Sequence, residues 1–597
     1  MKRLSVLVIA IFFLVYLIPL GVRPLTLPDE FRYAEIPREI VAARDWVVPH
    51  LNGLRYFEKP ILGYWLNAIG IVIFGENAFA IRFFSAIATG FSALCLFLLA
   101  RSYGLSRYAG IFAAAVFLTC TEVFAVGTFS VLDNVFALFV TAAMTCFFFA
   151  HAEGLAWKRK ALLALTGVFC GLAFLTKGFL AFAVPTVAVV PFLIWQRRSK
   201  EILRVPWLPL LTAVLVALPW CLMIHAREKD FWRYFFWIEH IKRFLHSSSA
   251  QHPEAFWFFI PFLIGGTFPW TVLLPAAISG LKHNRLNNPL VKYAICWFLF
   301  PFLLFSASRG KLPTYILPCF APLALLISVG LLAKLDTGKR NEFKVPAFVV
   351  MAIVLVPAIC LILNHVLPVD FKLYEKSETW KVALLAASLL TCAAGLFFAG
   401  TVKNPRKRLA CFALSPVLLM FSVPFIVPEK FMGKKMPAGF LTQHADKIAP
   451  DDIIVSDNYL VSAIGWTYRR NDVLLVEKPG ELKYGLRYDD SKHRMLNFDQ
   501  LKELIEKNRG KKHIVIVTFT RRYEKYRDLL PKPDSEEIGQ NFVFAQFGAQ
   551  TAAEADSPPF QKATQLHNAN RSETEPDGAG EGMQQPVLVQ SLQLAAR

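Results

Sequence analysis

Residues 27–65 read LPDEFRYAEIPREIVAARDWVVPHLNGLRYFEKPILGYW, a charged stretch set between apolar runs long enough to enter a bilayer. The segment is expected to lie on the membrane surface, where ionisable groups are costly enough to point to function. Asp29 and Glu30 are adjacent carboxylates at a predicted helix start. There a side-chain oxygen can take an orphan backbone N–H, and negative charge meets the positive helix end. Taken alone they read as caps, but Arg32, Tyr33, Arg38, Arg55, Tyr56, Glu58 and Lys59 crowd the same segment. Pro37 removes one intrahelical hydrogen bond and clashes with the carbonyl of Tyr33, so a kink is expected near Arg38 and Glu39.

Outward from this segment the chain is apolar. Of its 597 residues 55% are hydrophobic, and the mean hydropathy of +0.44 is far above that of an ordinary soluble domain. About thirteen helical spans, most of roughly 17–25 residues, can be drawn. They fall near 5–21, 80–100, 108–124, 131–150, 161–176, 179–196, 205–224, 256–280, 289–306, 313–333, 345–367, 382–401 and 409–427. The first follows a basic start but no small-residue cleavage site follows it, so it reads as a retained helix rather than a signal peptide. Period-two alternation over strands of about ten residues is not seen, which argues against a membrane barrel. The predicted fold class is therefore a polytopic α-helical membrane protein.

Short loops rich in Lys and Arg, such as Arg197/Arg198/Lys200/Arg204 and Lys403/Arg406/Lys407/Arg408, alternate to one side, which is read as cytoplasmic. The first loop (22–79), the loop at 225–255, the turns at Lys177 and Arg309–Lys311, and everything after Val427 then face the opposite compartment. Arg32, Lys59, Lys177, Arg243, Arg309 and Lys311 are cations on the side usually poor in them, and a shared anion such as phosphate would account for them.

The organisation expected is a membrane domain over 1–427, a soluble α/β domain over 428–550 in the outer compartment, and a disordered tail over 551–597 with few large apolar groups. In the soluble part, β-like runs at Asp452–Val455, Val473–Val476 and His513–Phe519 alternate with a helical pattern at Phe498–Asn508. All ten cysteines lie in or beside apolar runs, which argues against a disulfide framework or a cysteine metal site. The net charge of +20 suits anionic lipid or phosphate partners better than nucleic acid, because no basic groove with interleaved aromatics stands outside the membrane part.

PDEFRYAEIPREI, the YFEKP block, VLDN (131–134), TKGFLA (176–181), FFWIEHIKRF (235–244), GKLPTYILP (310–318) and GELKYGL (480–486) occur in the order found in one family. Over roughly residues 1–550 the sequence closely resembles the 4-amino-4-deoxy-L-arabinose lipid A transferases. These belong to the multi-span GT-C-type glycosyltransferases, which also contain the protein O-mannosyltransferases. The resemblance implies transfer of the aminosugar from undecaprenyl phosphate to lipid A at the periplasmic face of a bacterial inner membrane, with resistance to polymyxin and other cationic peptides as the consequence. Transfer of a lipid-phosphate-linked sugar to another acceptor, as in the O-mannosyltransferases, is the alternative.

Carried onto this sequence, the resemblance makes Asp29 the catalytic carboxylate of the first loop. It places Lys177, Arg243, Tyr315 and Arg32 on the donor phosphate, and Lys59, Glu58, Tyr33, Tyr56 and Asp133 around the substrates. No cofactor is required by it, although a divalent metal such as zinc between Glu58 and His240 is implied. Two ligands make an incomplete zinc site, and a lone interfacial histidine is more often a hydrogen-bonded structural group. On the residues alone, the plain reading of Lys177 is a lysine snorkelling from a span end, and its company in Tyr315 and Arg243 favours a fixed charge on the donor phosphate instead. Asp133 could be a helix cap or a support for the first loop. A transporter, the third class, would place its ionisable groups near mid-membrane on broken helices rather than in outer loops.

Overall fold

The computed structural model describes residues 2–102, 107–242, 253–282, 286–337, 341–367 and 372–548. The tail expected to be disordered lies outside them. The chain divides into two compact units, one running to Pro437 and the other beginning at Ala438.

Among the described residues of the first unit, nine helices are long and apolar enough to cross a membrane, or up to eleven if two bent pairs each count as one span. The remaining expected spans fall on the shorter helix Leu180–Trp195 and on the consecutive pieces Pro405–Leu414 and Val417–Ser422. Large side chains such as Trp207, Val72, Val356 and Ile359 face outward, which water would penalise and hydrocarbon does not. The span Pro313–Leu335, by contrast, is almost wholly enclosed by its neighbours.

Two expected spans are broken. Tyr108–Leu118 and Thr121–Gly127 meet at 69°, and Phe256–Gly266 and Trp270–Lys282 at 94°. A broken helix leaves backbone groups unpaired, which lipid cannot satisfy. Here each break serves the other. Both the backbone N–H and Oγ1 of Thr121 donate to the Phe268 carbonyl at 3.1 and 3.0 Å, and the Trp270 indole donates to Thr119 Oγ1 at 2.9 Å.

Close helix packing depends on missing side chains. A Cβ on Gly167 would lie 2.0 Å from the Pro209 carbonyl oxygen, and one on Gly171 would lie 2.7 Å from that of Ala213. These glycines, four apart on Ala156–Lys177, let that helix lie directly on the backbone of Trp207–Arg227, the small-residue device common in membrane helix pairs.

A small hairpin, β1 (His50–Leu51) and β2 (Leu54–Arg55), lies in the first loop. The second unit is built on a six-stranded sheet of β3 (Ile453–Ser456), β4 (Leu474–Val476), β5 (Met495–Leu496), β6 (Ile514–Phe519), β7 (Ser535–Ile538) and β8 (Phe542–Phe547). Its order is β5-β4-β3-β6-β8-β7, with β3 to β6 parallel and the last two strands antiparallel. Val455, Leu501, Ile516, Tyr523 and Val543 share its core. The helix Phe498–Asn508 starts with a reciprocal cap between Asn497 and Gln500 and buries Leu501 and Ile505. The strands β5, β7 and β8 were not foreseen from the sequence: the first is only two residues long, and β7 alternates too weakly to be read alone.

Gly167→Ala is expected to cost about 1–3 kcal/mol through overpacking, read as a lower thermal midpoint in detergent. Gly265→Ala is the control, because a Cβ there meets nothing within 4 Å. Equal midpoints for the two variants would contradict the close approach.

Candidate active site

The first loop is fixed by a buried carboxylate. Glu30 Oε1 accepts from Arg82 Nε at 2.6 Å, and Oε2 accepts from Arg82 Nη2 and Arg23 Nη1, both at 2.8 Å. The backbone N–H groups of Thr26 and Ser130 add bonds of 3.0 and 3.2 Å. Arg82 gives its three other guanidinium hydrogens to the carbonyls of Leu20, Arg23 and Pro24. Burial raises the pKa of Glu30, but the two guanidiniums outweigh it and hold the carboxyl down at about 2. Glu30 is thus no cap. The residue before the Asp29–Ala43 helix is Pro28, and no side-chain cap bond is formed there.

That helix runs unbroken through Pro37. Glu35 grips Arg38 in a two-pronged pair at 2.7 Å, while Glu39 accepts the N–H groups of Asn52 and Gly53 at 2.6 and 2.9 Å. Those two residues form the hairpin turn with φ of 57° and 68°, so a carboxylate on the helix sets the turn that aims Arg55 and the residues after it. The loop is then tied to the region after residue 207. Arg55 pairs with Glu228 at 3.0 Å, Arg227 with Asp45 at 2.6 Å, the Trp220 indole donates to the Val47 carbonyl, and the Phe57 ring meets Phe231 edge-on. Tyr56 and Glu58 are buried, and Lys59 donates to the Glu58 carbonyl at 2.8 Å.

Asp29 is half-buried in the first helical turn and forms an ion pair with Arg32, whose guanidinium lies 5.1 Å from the centre of the Tyr33 ring. Tyr33 stacks in turn on Tyr64. A further cation stands here. The Lys435 carbonyl accepts from Leu27 N–H at 2.9 Å; burial lowers the pKa of the Lys435 ammonium, and the charge of Asp29 opposes that fall. Lys435 closes a short helix, Glu429–Lys435, where the sequence offers only a polar run after the last span.

A second group gathers around Lys177. Gly178, at a φ of 82°, ends the helix that carries Lys177. The ammonium lies 2.5 Å from Asp133 Oδ1 and 4.3 Å from the centre of the Tyr315 ring. Both charged side chains are mostly shielded from solvent, so Lys177 is held as a fixed charge rather than a snorkelling one, and Asp133 is its counter-ion rather than a cap. The two groups are joined: Asn67 donates to the Tyr33 carbonyl and to Ser130 Oγ, and Ser130 N–H donates to Glu30, two residues before the helix Leu132–Ala152 that bears Asp133.

Arg243 and the side chain of His240 lie outside the described residues. Among those described, no three His, Cys, Asp or Glu side chains are gathered as metal ligands. Lys311 also departs from the shared-anion expectation. It is buried and donates to the carbonyls of Glu254 and Ser308, fastening the turn before Tyr315 instead of facing a ligand. All ten cysteines are free thiols.

The low pKa of Glu30 has a consequence for stability. Because it falls below the ordinary 4.5, the ionised carboxylate stabilises the fold above about pH 4.5, and that contribution is lost as the pH falls toward 2. Glu30→Gln should therefore lower the thermal midpoint at pH 7, by a loss on the order of 3 kcal/mol. The gap to the unmodified protein should narrow between pH 5 and pH 3. A gap independent of pH would show that Glu30 is not held ionised.

Family models match two parts of the chain: "Dolichyl-phosphate-mannose-protein mannosyltransferase" over residues 2–235, and "Arabinosyl transferase ArnT, C-terminal domain" over residues 432–546. A protein of Shewanella sediminis named undecaprenyl phosphate-alpha-4-amino-4-deoxy-L-arabinose arabinosyl transferase is 40% identical over 536 residues, which cover 89% of this chain and 96% of the relative. One of the same name from Erwinia tasmaniensis is 40% identical over 540 residues, 89% of this chain and 97% of its own. The crystal structure of ArnT from Cupriavidus metallidurans bound to undecaprenyl phosphate superposes with a TM-score of 0.77 at 22% identity, covering 91% of this chain and 97% of that one, a likeness of fold. By identity over nearly the whole length of these relatives, the chain belongs to the undecaprenyl phosphate-α-4-amino-4-deoxy-L-arabinose arabinosyl transferase family.

Proposed function

We propose that this protein is a glycosyltransferase that moves 4-amino-4-deoxy-L-arabinose from undecaprenyl phosphate to a phosphate of lipid A, at the periplasmic face of a bacterial inner membrane. The observation that carries the reading is the 40% identity to transferases so named along almost their entire length. The mannosyltransferase match is confined to residues 2–235, whereas the match at 432–546 is to the arabinosyl transferase, which favours the aminosugar over protein mannosylation.

The chemistry fits the geometry of the two joined groups. An acceptor phosphate oxygen is already ionised near neutral pH, since its second pKa is about 6, so attack on the anomeric carbon needs no strong general base. The carbon–oxygen bond to undecaprenyl phosphate breaks, and negative charge grows on the departing phosphate. Lys177, set between the Asp133 carboxylate and the Tyr315 ring, is a point charge in place before that phosphate leaves. Asp29 is steadied by Arg32 and stands in the field of Lys435; its role is to orient the acceptor or to stabilise positive charge at the sugar. Arg32, Tyr33, Tyr56, Glu58 and Lys59, from the same loop, are assigned to the substrates with it. Added aminosugar lowers the negative charge of lipid A, which weakens the attraction of cationic peptides such as polymyxin.

Mass spectrometry of lipid A from cells with and without this chain tests the reading: an added aminopentose that depends on the chain is expected. Asp29→Asn and Lys177→Ala should each lose at least about 10²-fold in transfer while membrane abundance stays normal. Sugar found on periplasmic proteins instead of lipid A would move the assignment to the mannosyltransferase type, and loss of protein rather than of activity would make these side chains structural.

A further inference from the structure

The proposed site is well supplied with cations, and three acids of its surroundings are matched to them. Asp29 pairs with Arg32, Asp133 with Lys177, and Glu30 with Arg23 and Arg82. A donor that brings an ammonium as well as a phosphate is best met by an anion placed apart from the phosphate-binding lysine.

Glu122 is such a group. Its Oε1 is shielded from solvent and has no hydrogen-bond partner in the structure, a costly state for a carboxylate oxygen. It sits at the elbow of the first broken span, directly after the Thr121 contact that locks the two breaks together. Its Cβ occupies the space that a side chain on Gly266 would need, with a built Cβ there only 2.8 Å away, so the absent side chain of Gly266 is what admits it. The surroundings lead back to the site. The short helix Thr121–Gly127 packs on Phe259–Gly266, which in turn packs on the Pro313–Ile316 turn bearing Tyr315. It also packs on the Leu132–Ala152 helix, and Glu122 feels the charge of Asp133 there.

We infer that Glu122 is the specificity-determining residue that receives the 4-ammonium group of the donor sugar, while Lys177 faces its phosphate. The inference rests on the aminosugar-transfer reading above. Carboxylate and ammonium then satisfy each other in a site where neither has another described partner. A neutral sugar with a hydroxyl at the same carbon leaves the carboxylate unmatched, which is the strong form of discrimination by a polar site.

The full-length protein in lipid nanodiscs is offered two donors, undecaprenyl phosphate carrying 4-amino-4-deoxy-L-arabinose and the same carrier carrying L-arabinose. Equilibrium binding of both and transfer to lipid A are measured. Glu122→Gln keeps the shape and removes the charge. It should weaken binding of the amino donor and raise its KM by about ten- to a hundredfold, the range of a hydrogen bond to a charged group. Binding of the hydroxyl donor should be unchanged or tighter, and Glu122→Asp should regain part of the preference. If Glu122→Gln weakens both donors equally, or keeps the wild-type preference, the inference is overturned and Glu122 is structural. If wild-type protein itself neither binds nor uses the amino donor, the aminosugar reading fails first, a result distinguishable because no variant is needed to see it.

Discussion

One buried ion cluster holds one end of the membrane unit together. Every guanidinium hydrogen of Arg82 is used, two on Glu30 and three on the carbonyls of Leu20, Arg23 and Pro24. Taking such charges out of water is costly, and the attraction repays it only when the geometry is good and the remaining hydrogen-bonding capacity is satisfied. Here it is, and the satisfaction has consequences for position. The end of the first span, the second span, the start of the loop helix and the segment before Asp133 all meet at one carboxylate. Asp29, the next residue along, inherits its place from that cluster.

The same scarcity of water explains the rest of this end of the unit. Two spans break, and their exposed backbone groups find each other across Thr121 and Phe268. A helix ends at Gly178, and the lysine at its last position is matched by a carboxylate from the first turn of another helix. Cations near a helix C-terminus and anions near an N-terminus are also favoured by the backbone dipoles, so Lys177 and Asp133 each stand at the end that suits their sign. Preorganisation of this kind lets a charge meet the transition state without rearrangement.

Pairing has a further effect on chemistry. A cation already matched to an acid presents a weaker net field than a bare one, and so binds a phosphate without attracting every anion in reach. Asp29, Asp133 and Glu30 are each matched in this way, whereas Glu122 Oε1 has no hydrogen-bond partner among the described residues.

Much of this was legible in the chain. Apolar run lengths located most of the spans, because crossing hydrocarbon demands a continuous helix of known length. The core strands β3, β4 and β6 and the helix at 498–508 followed from local periodicity. Lys177 stood out as a charge between two apolar runs, and the crowding of acids and bases after Leu27 marked the loop. Tertiary structure alone decided who pairs with whom. Glu30 read as a cap and became the centre of a cluster, because its partners Arg82 and Ser130 lie 52 and 100 residues away. Lys177 finds Asp133 at a separation of 44, Lys311 turned inward to fasten a turn, and Lys435 reached the field of Asp29 from beyond the last span. Such pairings leave no periodic trace in a sequence: local patterns record what each residue costs in lipid or water, whereas a charge's partner is set only when the helices between them have packed.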